Sequence, residues 1–387
     1  MQKKVKILFI IESLASTGGA EHALVNLLPA LVGAGYECEV AALWSPYDLS
    51  IRLGDKGIKV HKLELKFRWD IFGGVYKLFK LNKLNKYQII HAHNFFPSFY
   101  TAISKPFFMD VKRITTFHNL GYDSFPANTL YKKARKKIDS LLNRFFIDEH
   151  IGVSNAVACS YKKHLKLKNI SVINNAVPVD EIVEQGKKNI DVIKKYRLDD
   201  DCFLIVMPAR LIREKGHKYM LEAMKILKAK GVTPKLLILG DGVLKNDICR
   251  QIEELQLDEQ VILKSTIPHG ELFPIIKRAD AVVLSSTHEG FPLAPTEAMA
   301  LYTPVIATNV GGLPDLIEDG ISGLLIPSKD SSVLATSIER LINEPDLRRE
   351  LANGGWDRIN ENFRVEVIVK KWDRFYRNFL NSKNYNS

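Results

Sequence analysis

The sequence predicts an α/β protein with two doubly wound, Rossmann-like domains. Short apolar segments without polar alternation, which are typical of buried parallel strands, alternate with helical segments along the whole chain. The 387 residues exceed one typical hydrophobic core. A polar and charged stretch near 178–200 separates two series of these segments. We therefore predict one domain over 1–180 and a second over 181–364.

The first domain shows a repeated strand–helix alternation, which favours parallel strand pairing with right-handed crossovers. A glycine-bearing loop and a helix follow its first strand, and a lysine-rich helix precedes its fourth strand. The predicted strands are 5–11, 38–44, 59–63, 87–93, 112–119, 149–154 and 170–177.

The second domain repeats the same theme, and the chain closes with an amphipathic helix over 365–380. The aromatic side chains of that helix share one apolar side. Two such domains predict a cleft faced by the carboxyl ends of both sheets, so functional residues should lie just after strands. The predicted strands are 203–211, 235–242, 261–266, 281–286, 304–309 and 323–328.

The positive charge of the chain is concentrated in its first half. Residues 1–180 contain 26 Lys and Arg against 14 Asp and Glu, whereas the remainder contains 29 against 30. Three lysine-rich stretches at roughly helical spacing, 76–86, 131–139 and 161–168, hold much of the excess. They are compatible with a solvated helix face, an anionic membrane surface or a nucleic-acid surface.

Cysteine usage and hydropathy favour a cytoplasmic protein. The four cysteines form no CxxC pair, which indicates reduced thiols and neither a disulfide framework nor a zinc site. The apolar run "ILFII" near the start is interrupted at Glu12, so it predicts a first strand and not a signal peptide. No stretch approaches the ~20 apolar residues of a membrane span. We expect a cytoplasmic location, with peripheral attachment to the inner face of the cytoplasmic membrane as a further possibility.

The segment "SSTHEGFPLAPTEAMA" (285–300) places two glutamates around a strand–helix junction. Pro295 suits the first helical position, which would put Glu289 on the loop and Glu297 in the first helical turn. A carboxylate pair at the carboxyl end of a strand could hold the hydroxyls of a sugar or a ribose. The alternative is a surface loop glutamate beside a glutamate that favours the helix dipole.

Other post-strand loops carry residues that suit anions. Arg210 and Lys215 in "ARLIREKGH" could converge on a pair of phosphates, and Gly18 and Gly19 in "STGGAE" would admit a ligand to a helix N-terminus. The loop lacks GxGxxG, so a nicotinamide oxidoreductase is disfavoured. A tight turn and solvated cations are the alternatives.

Histidines end two of the predicted strands. His118 could hydrogen-bond a substrate hydroxyl or carry protons. His91 and His93 share a strand face as a metal pair would, but no third ligand is evident in the sequence. We therefore expect no metal.

The segment 289–330 resembles the EX7E nucleotide-sugar signature of the GT4-type retaining glycosyltransferases, which have the GT-B fold. The resemblance extends over nearly the whole chain through "GGAE", "HAHN", "TTFHN", "GVSNAVA", "INNAV", "ARLIREKG" and "GDG". It implies a first domain that binds the acceptor, a second that binds the nucleotide sugar, and a final helix, about 365–387, that crosses back to the first domain.

The resemblance also implies roles for individual residues. Glu289 and His118 would contact the transferred sugar as the catalytic pair, and Glu297 would hold the ribose. The phosphates would meet Arg210, Lys215 and the backbone at Gly18 and Gly19. The family usually has glycine where this chain has Pro292, which lacks an N–H, so loop contacts would come from Gly290, Phe291 and Leu293. No metal or other cofactor is implied.

These expectations describe a retaining transferase of capsule, lipopolysaccharide or other cell-surface polysaccharide synthesis. It would move a hexose or N-acetylhexosamine from a nucleotide-diphosphate sugar, with UDP favoured, to a saccharide or lipid-linked saccharide. An anionic membrane surface is a possible further partner, and nucleic acid is not expected. The alternatives are a GT-B-fold epimerase or hydrolase that acts without an acceptor, and a basic nucleic-acid-binding protein.

Overall fold

The computed structural model describes residues 4–124, 129–265, 267 and 269–381, and it divides the chain into two compact units. Unit 1 takes the chain up to Ala176 and again from Val365, and unit 2 runs from Val177 to Arg364. Each unit contains a parallel sheet flanked by helices, so the predicted α/β fold class is confirmed. Within the described residues, no helix is both long enough and apolar enough to cross a membrane.

Unit 1 contains a seven-stranded sheet among its described residues, with the order β3-β2-β1-β4-β5-β6-β7 and parallel pairing throughout. Apart from the first residue of most of them, the inner strands are buried, which explains their continuous apolar sequences. The strands are β1 Lys6–Ile11, β2 Glu37–Ala42, β3 Lys59–Lys62, β4 Ile89–His93, β5 Lys112–Phe117, β6 Glu149–Gly152 and β7 Ser171–Val172.

The helices of unit 1 cover both faces of this sheet. One hydrophobic core is formed by strand residues together with α1 and the final helix. The second is formed by strand residues together with apolar residues of α3 and α4. The helices are α1 Gly19–Gly33, α2 Ser50–Gly54, α3 Ile71–Asn85, α4 Phe95–Ile103, α5 Gly121–Ser124, α6 Leu130–Phe146, α7 Asn155–Leu165 and α17 Val365–Asn381.

The final helix, α17, belongs to unit 1, as the resemblance implies. Its residues Trp372, Tyr376 and Phe379 are buried in the same core as α1. The Tyr376 hydroxyl lies 2.8 Å from Nδ1 of His91 on β4, so the end of the chain is hydrogen-bonded to a central strand.

Unit 2 is built around a six-stranded sheet, counted over its described residues, with the order β10-β9-β8-β11-β12-β13. All of its strand pairs are parallel. The strands are β8 Leu204–Pro208, β9 Lys235–Leu239, β10 Val261–Lys264, β11 Ala281–Leu284, β12 Val305–Thr308 and β13 Leu324–Ile326.

The helices of unit 2 include two in the polar stretch near 178–200. There α8 and α9 bury Val179, Ile182, Val192 and Tyr196, so the stretch is part of the folded unit. The helices are α8 Val179–Gly186, α9 Val192–Tyr196, α10 His217–Ala229, α11 Lys245–Glu254, α12 His269–Arg278, α13 Leu293–Ala300, α14 Leu313–Leu316, α15 Ser331–Asn343 and α16 Pro345–Asn362.

The order of the strands reverses once in each sheet. In unit 1 the reversal falls between β1 and β4, and in unit 2 between β8 and β11. Loops on either side of such a switch point diverge at the carboxyl edge and leave a crevice where ligands bind. The loops after β1, β4, β8 and β11 are therefore the places to look for a site.

Candidate active site

An ion pair spans the switch point of unit 2. Lys215, after β8, places its Nζ 2.6 Å from Oε1 of Glu289, which follows β11. The same oxygen accepts a hydrogen bond from Ser286 Oγ at 2.7 Å. Oε2 has no hydrogen-bond partner in the described part of the chain, which leaves one carboxylate oxygen for a ligand. Two residues that the sequence analysis singled out separately are thus in direct contact.

Two glycines bring these loops together. Gly216 and Gly311 have φ of 68° and 58°, in the region where a Cβ is unfavourable. A Cβ on Gly216 would lie 2.0 Å from the carbonyl oxygen of Ser285, and one on Gly311 would lie 1.8 Å from that of Glu289. The Glu289 carbonyl also accepts a hydrogen bond from Gly312 N at 3.2 Å. The position of Glu289 therefore depends on close backbone contact.

The loop between Glu289 and α13 differs slightly from the sequence prediction. The helix begins at Leu293 and not at Pro295, because Pro292 in an extended conformation ends the loop as the N-cap. Pro295 still lies in the first turn, where its missing N–H costs no helical hydrogen bond. Phe291 is buried with its ring 5.5 Å from that of Phe363, which anchors the loop, and Gly290 between it and Glu289 is half-buried.

Glu297 lies in the second turn of α13, one turn later than predicted. Its side chain is half-buried and has no hydrogen bond or ion pair with any described residue. Burial raises the pKa of Glu297 to about 7. A carboxylate held without a protein partner is suited to accept hydrogen bonds from hydroxyl groups of a ligand.

The raised pKa of Glu297 predicts a pH-dependent stability. The folded protein binds this proton more tightly than the unfolded chain does, so the group lowers the free energy of unfolding as pH rises from about 4.5 to about 7. The free energy of unfolding decreases by at most about 1.4 kcal/mol per pH unit through this group. We expect Glu297→Gln to be increasingly more stable than the wild type across this range, as measured by thermal unfolding at each pH.

The exposed Glu254 of unit 2 provides the matched control. Glu254→Gln should follow the wild type at every pH, because this substitution changes an exposed side chain and no buried group. A constant difference between Glu297→Gln and the wild type from pH 5 to pH 8 would contradict the raised pKa.

Arg210 is not part of the Lys215–Glu289 pair. Its side chain is exposed, and none of the described residues forms an ion pair or hydrogen bond with it. The first residue of α10, His217, is buried, and burial together with the charge of Lys215 lowers the pKa of His217 to about 4. At neutral pH this ring is therefore uncharged, and the positive charges of the loop are those of its lysine and arginines.

The predicted glycine loop of unit 1 lies at the start of α1, after β1. Gly18 is the N-cap in an extended conformation, and Gly19 is the first helical residue. A Cβ on Gly18 would lie 1.9 Å from a carboxylate oxygen of Glu21, whereas nothing lies within 4 Å of a Cβ on Gly19. The helix end is thus open at Gly19 and occupied at Gly18 by the protein's own carboxylate.

His118 lies just after β5 and belongs to a row of stacked imidazoles. Its Nε2 lies 2.8 Å from Nδ1 of His93, and the His93 ring stacks on His91 with a centroid distance of 4.6 Å. Asn94 Oδ1 accepts a hydrogen bond from the His118 backbone N–H at 3.0 Å. Burial lowers the pKa of His118 to about 4, so the ring is neutral at pH 7 and can exchange hydrogen bonds without carrying charge.

The histidine pair on β4 has partners other than a metal. Both ring nitrogens of His91 are hydrogen-bonded, one to Tyr376 and the other to Thr116 Oγ1 at 2.7 Å. Within residues 4–124, 129–265, 267 and 269–381, no group of three or more potential ligands could hold a metal ion.

Two residues that fix Glu289, Ser286 and Gly311, went unrecognised in the sequence. His93 was considered there only as half of a metal pair, and its contact with His118 was not predicted. Ser286 stands three residues before Glu289 at the end of a strand, and this spacing was the available signal. Gly311 gave none, because a glycine pair in a loop does not indicate which backbone it approaches.

Comparison with protein families identifies both units. Residues 17–181 match the model of Glycosyltransferase Family 4, and residues 189–357 match that of Glycosyl transferases group 1. The two matches do not overlap and fall on unit 1 and unit 2 respectively, apart from the first few residues of unit 2.

Individual relatives agree with this assignment. The chain is 30% identical over 190 residues to the capsular polysaccharide biosynthesis glycosyltransferase CapM of Staphylococcus aureus, an alignment that covers 48% of this chain and 49% of the relative. It is 26% identical to the uncharacterized glycosyltransferase MJ1607 of Methanocaldococcus jannaschii, covering 93% of this chain and 94% of the relative. The chain thus spans about half of the first relative and nearly all of the second.

A solved structure shares the fold. Anabaena Alr3699/HepE, determined in complex with UDP and glucose, superposes with a TM-score of 0.81 at 19% identity and covers 97% of this chain and 100% of its own. The nucleic-acid-binding alternative is disfavoured by these matches. On the strength of the two family models, this chain belongs to the GT4-type glycosyltransferases.

Proposed function

We propose that this protein is a retaining, metal-independent glycosyltransferase that uses a UDP-sugar. It moves a hexose or N-acetylhexosamine to a saccharide or lipid-linked saccharide during synthesis of a cell-surface polysaccharide, in the cytoplasm. The observation that carries the proposal is the Lys215–Glu289 pair at the switch point of unit 2, with one carboxylate oxygen open. The polysaccharide setting is supported by the name of CapM and the sugar donor by the ligands of HepE.

The proposed chemistry follows from charge. A nucleotide diphosphate leaves with growing negative charge, which Lys215, Arg210 and the free N–H groups at the start of α13 would stabilise without a metal. Lys215 is already oriented by Glu289, so little reorganisation accompanies the reaction. The phosphate contacts that the family resemblance implies for Gly18 and Gly19 stay a prediction, and the Gly18 N–H donates to the Ala15 carbonyl oxygen at 3.3 Å.

The remaining residues would recognise the sugar and the nucleoside. Glu289 Oε2 would accept a hydrogen bond from a sugar hydroxyl, and Glu297 would accept those of the ribose. His118 would contact the sugar as a neutral imidazole, since burial keeps its pKa near 4. Backbone groups of Gly290, Phe291 and Leu293, which follow Glu289 in the chain, would make further contacts with the donor. The retained configuration would arise by front-face displacement.

A nucleotide screen tests the sugar-donor site. UDP, GDP, ADP, CDP and NAD are added to the wild type and to Glu297→Ala, and the melting temperature is followed. At ~100 times its dissociation constant, a ligand stabilises the protein by roughly 2.7 kcal/mol, which raises the melting temperature by several degrees. We expect UDP to give the largest shift and Glu297→Ala to lose it.

Glu254→Ala is the control for this screen and should keep the full UDP response. Equal shifts with all the nucleotides, or a UDP shift that survives in Glu297→Ala, would refute the assigned ribose contact. Release of free sugar or of an epimerised nucleotide sugar without acceptor, at a rate equal to that with acceptor, would favour the epimerase or hydrolase alternative.

A further inference from the structure

The helix α6 of unit 1 has its apolar side turned towards solvent. Its large exposed apolar residues are Leu130, Tyr131, Ile138, Leu141 and Phe145, with Leu130 84% and Phe145 64% exposed. At 100° per residue these five positions fall within roughly 100° of arc on the helix. An amphipathic helix of a globular protein normally buries such a stripe.

The buried side of α6 is polar. Asp139 and Asn143 are almost fully buried, and Asn143 accepts a hydrogen bond from Ser98 Oγ of α4 at 3.2 Å. Asp139 in turn accepts hydrogen bonds from Tyr122 and from Asn143. The orientation of α6 is therefore fixed by satisfied hydrogen bonds, and the exposed stripe is a consequence of that orientation.

The helix α3 presents a similar surface. Phe72, Tyr76 and Phe79 are exposed on one side of it, with Phe72 at 91%, and Lys80 and Lys83 are exposed beside them. Phe107, at the end of a short 3-10 turn, is also exposed, and its ring lies 6.4 Å from that of Phe79. The helices α3 and α6 both pack against α4. We refer to these exposed residues of α3, Phe107 and the exposed stripe of α6 as the apolar–basic face.

This face collects most of the exposed apolar groups of unit 1. Among its described residues, every large exposed hydrophobic side chain except Val32 and Ile51 lies between Phe67 and Phe145. Patches of this kind on an otherwise soluble fold mark an interaction surface.

The charge of the face indicates which partner it meets. The helix α3 contains no acidic residue, and the single one in α6, Asp139, is buried. Lys132, Lys133, Lys137 and Arg144 are all exposed on α6. Exposed apolar residues on two helices whose exposed charged side chains are all positive suit a bilayer with anionic headgroups, whereas a second copy of the same helices would be repelled.

We propose that the apolar–basic face binds the surface of an anionic phospholipid bilayer, with the apolar stripe of α6 at the headgroup boundary. Both helices follow strands of the parallel sheet, so their first turns lie at its carboxyl edge, as His118 does. A saccharide linked to a membrane lipid would thereby be presented at the edge that carries His118. This part of the proposal rests on the lipid-linked acceptor proposed above, but the binding itself does not.

Vesicle co-sedimentation of the full chain tests the proposal. Binding to mixed phosphatidylglycerol–phosphatidylcholine vesicles should exceed binding to phosphatidylcholine alone and should weaken at high salt, because charge attraction is screened. The variants Leu130→Ser/Phe145→Ser and Lys133→Glu/Lys137→Glu should each weaken binding to the anionic vesicles by about tenfold or more.

Matched controls lie on exposed positions of unit 2. Val243→Ser and Lys225→Glu/Lys245→Glu should bind vesicles as the wild type does, since none of these three positions belongs to the face. Binding that ignores anionic lipid and salt would overturn the proposal, as would variants of the face that bind unchanged. It would also be overturned if Leu130→Ser/Phe145→Ser only converted a dimer to a monomer, or if nucleic acid bound in place of vesicles.

The melting-temperature shift with UDP, measured on every variant, separates this proposal from the proposed function. Variants of the face that lose vesicle binding but keep the UDP shift are folded and retain the sugar-donor site. Vesicle binding in a protein that shows no UDP shift would uphold the membrane surface and refute the assigned sugar donor.

Discussion

Replacement of Lys215 by methionine is expected to lower kcat/KM for sugar transfer by a factor of about 10²–10³, the usual effect of removing one preorganised group that stabilises charge in a transition state. The substitution also removes the cation that pairs with Glu289. The Glu289 side chain is only 7% exposed, so its charge would then be buried without a partner cation. Breaking a buried ion pair from one side costs about 3–5 kcal/mol. We therefore expect a loss of stability together with the loss of activity.

A double variant separates the two effects. Lys215→Met/Glu289→Gln removes both charges and should recover most of the stability but none of the activity, because the amide keeps the shape of the carboxylate without its charge. The control is Lys218→Met, an exposed lysine in the first turn of α10, which should retain both. Recovery of transfer by the double variant would refute the role assigned to the pair.

Replacement of Gly311 by alanine is expected to impair UDP binding and sugar transfer, because it displaces Glu289. The new Cβ would lie 1.8 Å from the Glu289 carbonyl oxygen, so the two loops must move apart by about 1 Å or more. A misplacement of this size can reduce activity by about 10²-fold. Titration with UDP and a transfer assay would measure the effect.

The control for Gly311 is Gly320, which has a positive φ of 75° but open space around its Cβ. Gly320→Ala should show only the backbone cost of alanine in a left-handed conformation, about 1–2 kcal/mol, with unchanged UDP affinity. If Gly311→Ala and Gly320→Ala lost stability and UDP affinity equally, the close contact between Gly311 and Glu289 would not be the cause of the loss.

The alternation of strands and helices could be predicted from sequence because buried parallel strands are marked by short, continuous apolar runs. The helix α6 shows what such patterns do not predict. Its lysines and apolar residues were recognised at helical spacing, but amphipathic periodicity does not state which side faces the core. Here Asp139 and Asn143 decide it, through hydrogen bonds to residues distant in the sequence.

Lys215 and Glu289 of unit 2 were each identified from the sequence, but the contact between them was not predicted. Lys215 and Glu289 stand 74 positions apart, and only the strand order places β8 beside β11. The pairing of His93 with His118 depends in the same way on the adjacency of β4 and β5. Strand order is a property of the whole sheet, so a motif read along the chain cannot supply it.

The position of α17 has a consequence for how the protein is made. Trp372, Tyr376 and Phe379 belong to the core of unit 1, yet the ribosome adds them only after all of unit 2. At about 5–20 residues per second, the 188 residues from Val177 to Arg364 take roughly 10–40 s to synthesise. Unit 2 can therefore complete its hydrophobic core before unit 1 does. Until α17 is synthesised, the part of the unit 1 core that α17 covers stays exposed. During translation the amino-terminal half is therefore the one that needs protection by chaperones.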